Sequence, residues 1–94
     1  MIVKKSAQAG SLESQDILIT VNKGKKDSGI IIDLESPSFV QYGKKIRSEI
    51  ELVVNSMGIS DVHIKAIDKG ALGFTIKART EAALTRACSE EREF

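Results

Sequence analysis

The sequence has no tryptophan, one tyrosine and three phenylalanines, so any core it builds is mostly aliphatic. A single cysteine, Cys88, excludes an intrachain disulfide and a cysteine-rich zinc site. Fourteen basic residues against thirteen acidic ones give a formal net charge of +1. That is far from the basic stripe that nucleic-acid binding requires, and no nucleic-acid partner is expected. No apolar run approaches the ~20 residues needed to span a bilayer. The first residues, Met1-Ile2-Val3-Lys4-Lys5-Ser6, lack the apolar stretch of a signal peptide. A cytoplasmic protein without a membrane partner is the default expectation. At 94 residues one domain is expected, covering residues 1–94.

What is present is a set of short apolar runs separated by polar, glycine-bearing turns. Residues 1–15 are small and polar; they read as a flexible segment with weak structure, or with one short strand near residues 7–12. In Asp16-Ile17-Leu18-Ile19-Thr20-Val21, alternate residues Ile17, Ile19 and Val21 share one face, as a strand requires. After the turn Asn22-Lys23-Gly24-Lys25-Lys26-Asp27-Ser28-Gly29, a second run places Ile30, Ile32 and Leu34 together. An antiparallel hairpin is the simplest reading of this pair. Ser36-Pro37 is a helix-start signal. A helix to about Met57 follows, with Phe39, Ile46, Ile50, Val53, Val54 and Met57 on its apolar stripe, completed by Tyr42 and Gly43. Gly58 supplies its stop. Val62, Ile64 and Ala66 then alternate as a strand. Asp68-Lys69-Gly70-Ala71 reads as a turn, and Leu72, Phe74, Ile76 and Ala78 as another strand. A second helix is expected from Arg79 to about Glu91. The order β-β-α-β-β-α predicts an α+β domain: a mostly antiparallel sheet of about four strands with two helices packed on one face.

Catalytic templates fit poorly. The one histidine, His63, lies on an expected strand between apolar neighbours and reads as a solvent-facing structural residue. Cys88 reads as a small packing residue. A reactive thiol would need a cationic or helix N-terminal setting, and although Arg86 and Arg92 are near in sequence, the position is late in the helix. None of the seven glycines forms a GxGxxG or P-loop pattern. The carboxylates Glu13, Asp16, Asp33 and Glu35 read as solvated surface rather than as an acid/base pair. Lys23, Lys25 and Lys26 read as a solvated loop tip, with phosphate contact as the functional alternative. Taken alone, Ala9-Gly10-Ser11-Leu12-Glu13-Ser14-Gln15-Asp16 is a serine-bearing polar stretch beside a strand, and nothing in it separates Ser14 from any surface serine.

That same stretch resembles the modification motif of citrate lyase acyl carrier proteins, the gamma subunits of bacterial citrate lyase. Asp68-Lys69-Gly70-Ala71-Leu72 is similar to a second motif of that family, Gln41-Tyr42-Gly43-Lys44-Lys45-Ile46-Arg47 to its central helix, and the Ala/Arg/Glu-rich end to its last helix. The resemblance spans roughly residues 7–88, and it lies in the order and spacing of these motifs. It implies that the second serine of the Leu-Glu-Ser element, Ser14, carries phosphoribosyl-dephospho-CoA through a phosphodiester, with no catalytic residue and no metal. It further implies a non-enzymatic carrier whose arm thiol holds acetyl and citryl groups as thioesters. The alpha subunit is then the acyl transferase, the beta subunit cleaves the citryl group to oxaloacetate, and holo-citrate lyase synthase installs the arm. Gln15 stands where relatives often have a small residue. The lysine cluster at 23–26 is more basic than the resemblance requires, and we expect it near the arm's phosphates or an acidic partner face. The chain does not resemble the acidic, helical carriers of fatty-acid synthesis.

Two other carrier roles use the same kind of arm, in citramalate lyase and in malonate decarboxylase. A reading of another class is a non-enzymatic adaptor whose sheet edge binds a partner strand. A stand-alone enzyme built on His63 or Cys88 lacks any supporting motif.

Overall fold

The computed structural model describes residues 1–89. Its elements are β1 (Ala7–Gly10), β2 (Ile17–Lys23), β3 (Ile30–Glu35), α1 (Phe39–Ser56), β4 (Val62–Asp68) and α2 (Gly73–Cys88). The four strands form one sheet in the order β1-β2-β4-β3. β1 pairs antiparallel with β2, β2 antiparallel with β4, and β3 parallel with β4. This is the expected α+β class: a mostly antiparallel four-stranded sheet with two helices.

The period-two pattern explains the register. Ile19 lies opposite Ala66 and Val21 opposite Ile64, while Ile32 lies beside Ile64 and Leu34 beside Ala66. All these side chains therefore share one face. Ile17, Ile19, Val21, Val62, Ile64 and Ala66 have no exposed surface at all. Gln8, Thr20, Asn22, Asp33, His63 and Lys65 occupy the other parity positions and form the open face. On the covered face α2 lies over β1 and β2, α1 lies over β3, and the two helices pack against each other. From α1 come Ile46, Ile50, Val53 and Val54; from α2 come Ile76, Thr80, Ala83, Leu84, Ala87 and Cys88. Apart from Cys88, the buried hydrophobic cluster is aliphatic.

Two pairings differ from the expectation. Ile17–Lys23 and Ile30–Glu35 run antiparallel to each other, but they are not adjacent: β4 lies between them. β3, α1 and β4 form a strand–helix–strand crossover, and a helical crossover is the connection that sets parallel strands side by side. The most deeply buried strand thereby takes the centre, with both of its edges paired. The second difference concerns Leu72, Phe74, Ile76 and Ala78, which were expected as a strand. They belong to the start of α2, and the fourth strand is instead β1 in the expected short-strand region. Of those four residues only Ile76 is buried, while Leu72 and Phe74 are 61% and 73% exposed. The residues that pack, at 76, 80, 83, 84, 87 and 88, follow the helical period. α2 thus begins six residues earlier than expected. The expected end near Glu91, and Arg92, lie outside the described residues.

α1 starts at Phe39 with Ser38 as its N-cap, and Gly58 follows its end at φ +67°. Phe39 and Tyr42, expected on the buried stripe, are about half exposed, and burial on α1 begins at Gly43 and Ile46. No helix of the described residues is long and apolar enough to cross a membrane.

Candidate functional site

The serine-bearing segment is the tip of the β1–β2 hairpin. β1 ends at Gly10, whose φ is +97°. A Cβ there would stand 1.8 Å from the Ile17 carbonyl oxygen and 3.3 Å from Cδ of Arg79. Only glycine lets the two strands close this tightly under the Arg79 side chain. The chain then turns through Glu13-Ser14-Gln15-Asp16, where the Asp16 amide donates to the Glu13 carbonyl at 3.1 Å. Gln15 takes φ +65°, the positive value that the third residue of a type II turn requires. Ser14 is the residue before it, at the corner of the turn.

Two further backbone bonds fasten this tip to the segment after β4. The Gln15 amide donates to the Lys69 carbonyl at 2.8 Å, and the Lys69 amide donates to the Asp16 carbonyl at 2.9 Å. The two stretches picked out in the sequence, residues 9–16 and 68–72, are therefore spatial neighbours. Of residues 1–15, expected as one flexible segment, residues 7–10 form a strand and Val3 is buried in the core.

The two serines of the tip differ sharply. The Ser11 hydroxyl donates to Asp16 Oδ2 at 2.7 Å and accepts from the Glu13 amide at 3.3 Å. The Ser14 side chain is exposed and has no hydrogen-bond partner among the described residues. Asp16 is the polar hub of the turn. Arg79 donates to it through Nε at 3.1 Å and through a terminal nitrogen at 3.0 Å, and the Ile17 amide adds a third donor at 2.8 Å. The guanidinium first, then Ser11 and the Ile17 amide, lower the Asp16 pKa to about 2. Asp16 is thus a committed anion engaged with structural donors, not a base available to Ser14. A serine hydroxyl without a base is a poor nucleophile.

Asp68 organises the neighbouring loop. It is 3% exposed. Oδ1 accepts from the Gly70 and Ala71 amides at 3.1 and 2.9 Å, and Oδ2 accepts from the Ser36 hydroxyl at 2.8 Å. One buried carboxylate thereby ties the end of β4, the approach to α2 and the approach to α1. Between this loop and the first half of α1 opens a pocket of about 310 Å³ whose walls include Tyr42, Ile46, Glu49, Ala71, Leu72 and Ile76. Glu49 Oε2 is buried there without a hydrogen-bond partner. The Glu49 carboxylate lies so close to Gly73 that a Cβ on that glycine would stand 2.7 Å from Oε1. Tyr42 and Glu49 escaped the sequence reading as site residues. Their spacing with Lys45 and Ile46, at i, i+3, i+4 and i+7 on α1, is the signal that places them on one stripe.

The remaining candidates are dispersed. His63 Nε2 lies 2.6 Å from Asp33 Oδ2 on the open face of the sheet, with no nucleophile beside it. Cys88 is buried, and burial pushes its thiol pKa up, as a packing residue's would be. Glu13, Asp16, Asp33 and Glu35 do not converge; Asp16 meets Arg79 and Asp33 meets His63. Lys23 ends β2, six residues from its start at Ile17, so the lysine cluster lies about 20 Å from the Ser14 turn at ~3.3 Å per residue. The lysines therefore stand at the end of β2 away from the Ser14 turn. Among the described residues no group of three or more His, Cys, Asp or Glu side chains is placed to hold a metal ion.

Comparison with known proteins covers nearly the whole chain. Residues 4–87 match the family model described as malonate decarboxylase delta subunit (MdcD), an ACP family. The citrate lyase acyl carrier protein of Streptococcus uberis is 51% identical over 93% of this chain and 84% of its own length. That of Streptococcus mutans is 46% identical over 97% of this chain and 88% of its own, and that of Halothermothrix orenii 42% over 99% and 97%. Among solved structures, a chain in the crystal structure of a Pseudomonas malonate decarboxylase hetero-tetramer in complex with malonate superposes with a TM-score of 0.72. It shares 15% sequence identity, covering 90% of this chain and 86% of that one, which is a likeness of fold.

Proposed function

This chain belongs to the citrate lyase acyl carrier protein family, and from that membership we propose that Ser14 is the attachment point of its prosthetic group. The family role is that of the acyl carrier subunit of citrate lyase, which is non-catalytic. The group proposed is phosphoribosyl-dephospho-CoA, joined through a phosphodiester. The partners proposed are the alpha and beta subunits, with holo-citrate lyase synthase as the installing enzyme.

The observation that carries the reading is the contrast between the two serines. Ser11 is engaged on both sides by the turn, whereas Ser14 projects from a corner with its hydroxyl unpaired and exposed. A tether needs this: an accessible oxygen on a fixed base. The lack of a base beside Ser14 also fits, because an outside enzyme supplies the activation when the arm is attached. When bound, the group supplies a thiol that holds the acyl load as a thioester. The chain's own part is to hold the anchor still. Asp16, Arg79 and Ser11 lock the turn, and the Gln15–Lys69 and Lys69–Asp16 bonds fix it to the body. Within the turn, the backbone bonds to the body fall on residues 15 and 16.

Coexpression with the arm-synthesising and arm-transferring enzymes, followed by intact-mass measurement, tests this. One adduct of the arm's mass is expected in the parent and in Ser11→Ala, and none in Ser14→Ala. A Ser14→Ala protein that still gains the adduct would refute the assignment. So would an unmodified parent under conditions that modify the Streptococcus uberis relative.

A malonate decarboxylase role is the second reading, favoured by the family model's description and the fold likeness. The identity of 42–51% to citrate lyase carriers against 15% to the malonate decarboxylase chain places the first reading ahead.

A further inference from the structure

We propose that the pocket between α1 and the loop after β4 docks the adenosine part of the arm, with the Tyr42 ring against the purine and the Glu49 carboxylate accepting from the nucleoside. The proposal rests on the reading of Ser14 as the arm-bearing residue and says where the first stretch of the arm lies.

Three observations point there. The first is an unmet hydrogen-bond demand. Glu49 Oε2 is buried with no partner, and a buried acceptor without a donor is costly. An exocyclic purine amine or a ribose hydroxyl is the kind of donor it lacks. The second is size and surface. A space of about 310 Å³ suits a nucleoside, its walls at Ile46, Ala71, Leu72 and Ile76 are apolar, and Tyr42 offers an accessible ring for stacking. Lys45 at the same wall supplies a cation for phosphate. The third is reach. Asp68 and Gly70, which flank Lys69, both line the pocket, and the Lys69 carbonyl holds the Gln15 amide. The portion of the arm nearest Ser14, phosphoribosyl followed by adenosine, is the portion that arrives at this distance. Gly73 completes the cradle, because a Cβ there would displace the Glu49 carboxylate. Docking the base leaves the thiol end outside the pocket and shortens the free tether, which raises the effective concentration of the acyl group at a partner site.

Tyr42 is the only tyrosine and the chain has no tryptophan, so intrinsic emission reports on this pocket alone. The test compares arm-bearing protein, verified by intact mass, with the unmodified Ser14→Ala protein. Tyrosine emission of the arm-bearing form should fall by about twofold or more, as stacking on a base requires. Backbone amide NMR shifts should change at residues 70–74 and at 45–49. In arm-bearing Glu49→Leu and Gly73→Ala the emission should return to the unmodified level, with amide spectra of the unmodified variants verifying that each is folded. An arm present on Ser14 with emission and shifts equal to those of the unmodified protein overturns the docking and leaves the carrier reading standing. An arm absent from Ser14 overturns both. Full quenching in folded Glu49→Leu and Gly73→Ala removes Glu49 from the proposal and so refutes it as stated.

Discussion

Replacing Gly10 by alanine is the sharpest test of how the hairpin tip is built. At φ +97° an L-residue pays about 1–2 kcal/mol for a left-handed backbone. In addition the new Cβ would stand 1.8 Å from the Ile17 carbonyl oxygen. The two atoms must part to the roughly 3 Å at which such contacts begin, and the obstacle is backbone, so no rotamer change relieves it. Opening the strands at this end loosens the pairing of Gly10 with Leu18, at about 1 kcal/mol for one hydrogen bond. It also disturbs the seat of Arg79 on Asp16. A total near 2–4 kcal/mol follows, a large share of the stability of a domain this size. Gly29→Ala is the control. Gly29 also has positive φ, +73°, but an added Cβ would meet nothing within 4 Å, so only the backbone penalty of about 1–2 kcal/mol remains. Urea unfolding followed by circular dichroism gives both values. With slopes of about 1–3 kcal/mol/M, Gly10→Ala should lower the midpoint by about 1 M or more and Gly29→Ala by clearly less. Equal losses would show that the closeness of the strands at Gly10 has no energetic weight, and the account of the tip would fail.

Further predictions concern the same region and the cluster remote from it. Asp16 has its pKa depressed from 3.8 to about 2 in the fold, so its stabilising contribution is fully present above about pH 4 and is lost as pH falls toward 2. The melting-temperature difference between the parent and Asp16→Asn should therefore shrink across that window, and a difference constant from pH 5 to 2 would contradict the Arg79 pairing. Replacing Lys23, Lys25 and Lys26 together by Ser should leave the intact-mass yield of arm-bearing protein unchanged, because the cluster lies at the opposite end of β2; a drop of tenfold would place the lysines in the attachment reaction. Hydrogen exchange in the arm-free protein should show the Gln15, Asp16 and Lys69 amides slower than those of residues 12–14 by at least about tenfold, in keeping with their backbone bonds. Uniformly fast exchange across residues 10–16 would return the whole segment to a flexible tail.

Much of this was legible from the chain alone, for identifiable reasons. Ile17, Ile19 and Val21 announced a strand because a half-buried sheet enforces period two, and Ile46, Ile50, Val53 and Val54 announced a helix through the 3.6-residue stripe. Strand adjacency was not legible: the β2 and β3 sequences fit each other as well as either fits β4, and only the helical crossover settles which strand takes the centre. Leu72-Gly73-Phe74 misled because two exposed apolar side chains imitated alternation, while buried Thr80 hid the helical stripe of α2 behind a polar name. Its hydroxyl donates to the Ile76 carbonyl at 2.7 Å, which is how a polar residue rests inside that core. At the site, the motif order singled out Ser14, but the unequal bonding of Ser11 and Ser14 was invisible. So was the pocket, since its walls come from stretches about 25 residues apart in sequence.

The fastening of residues 15 and 16 to Lys69 has a geometric consequence for an arm on Ser14. With the anchor fixed, the hinge is not the polypeptide but the bonds beginning at the serine oxygen. The carrier then behaves like a drawing compass, its needle planted and its radius set by the stretch of arm left free. Any catalytic centre that such an arm serves has to lie within its reach of that point. Lengthening the hairpin tip would move the needle without widening the circle, so the reach of such a carrier is written in the chemistry of the arm rather than in the loop that bears it.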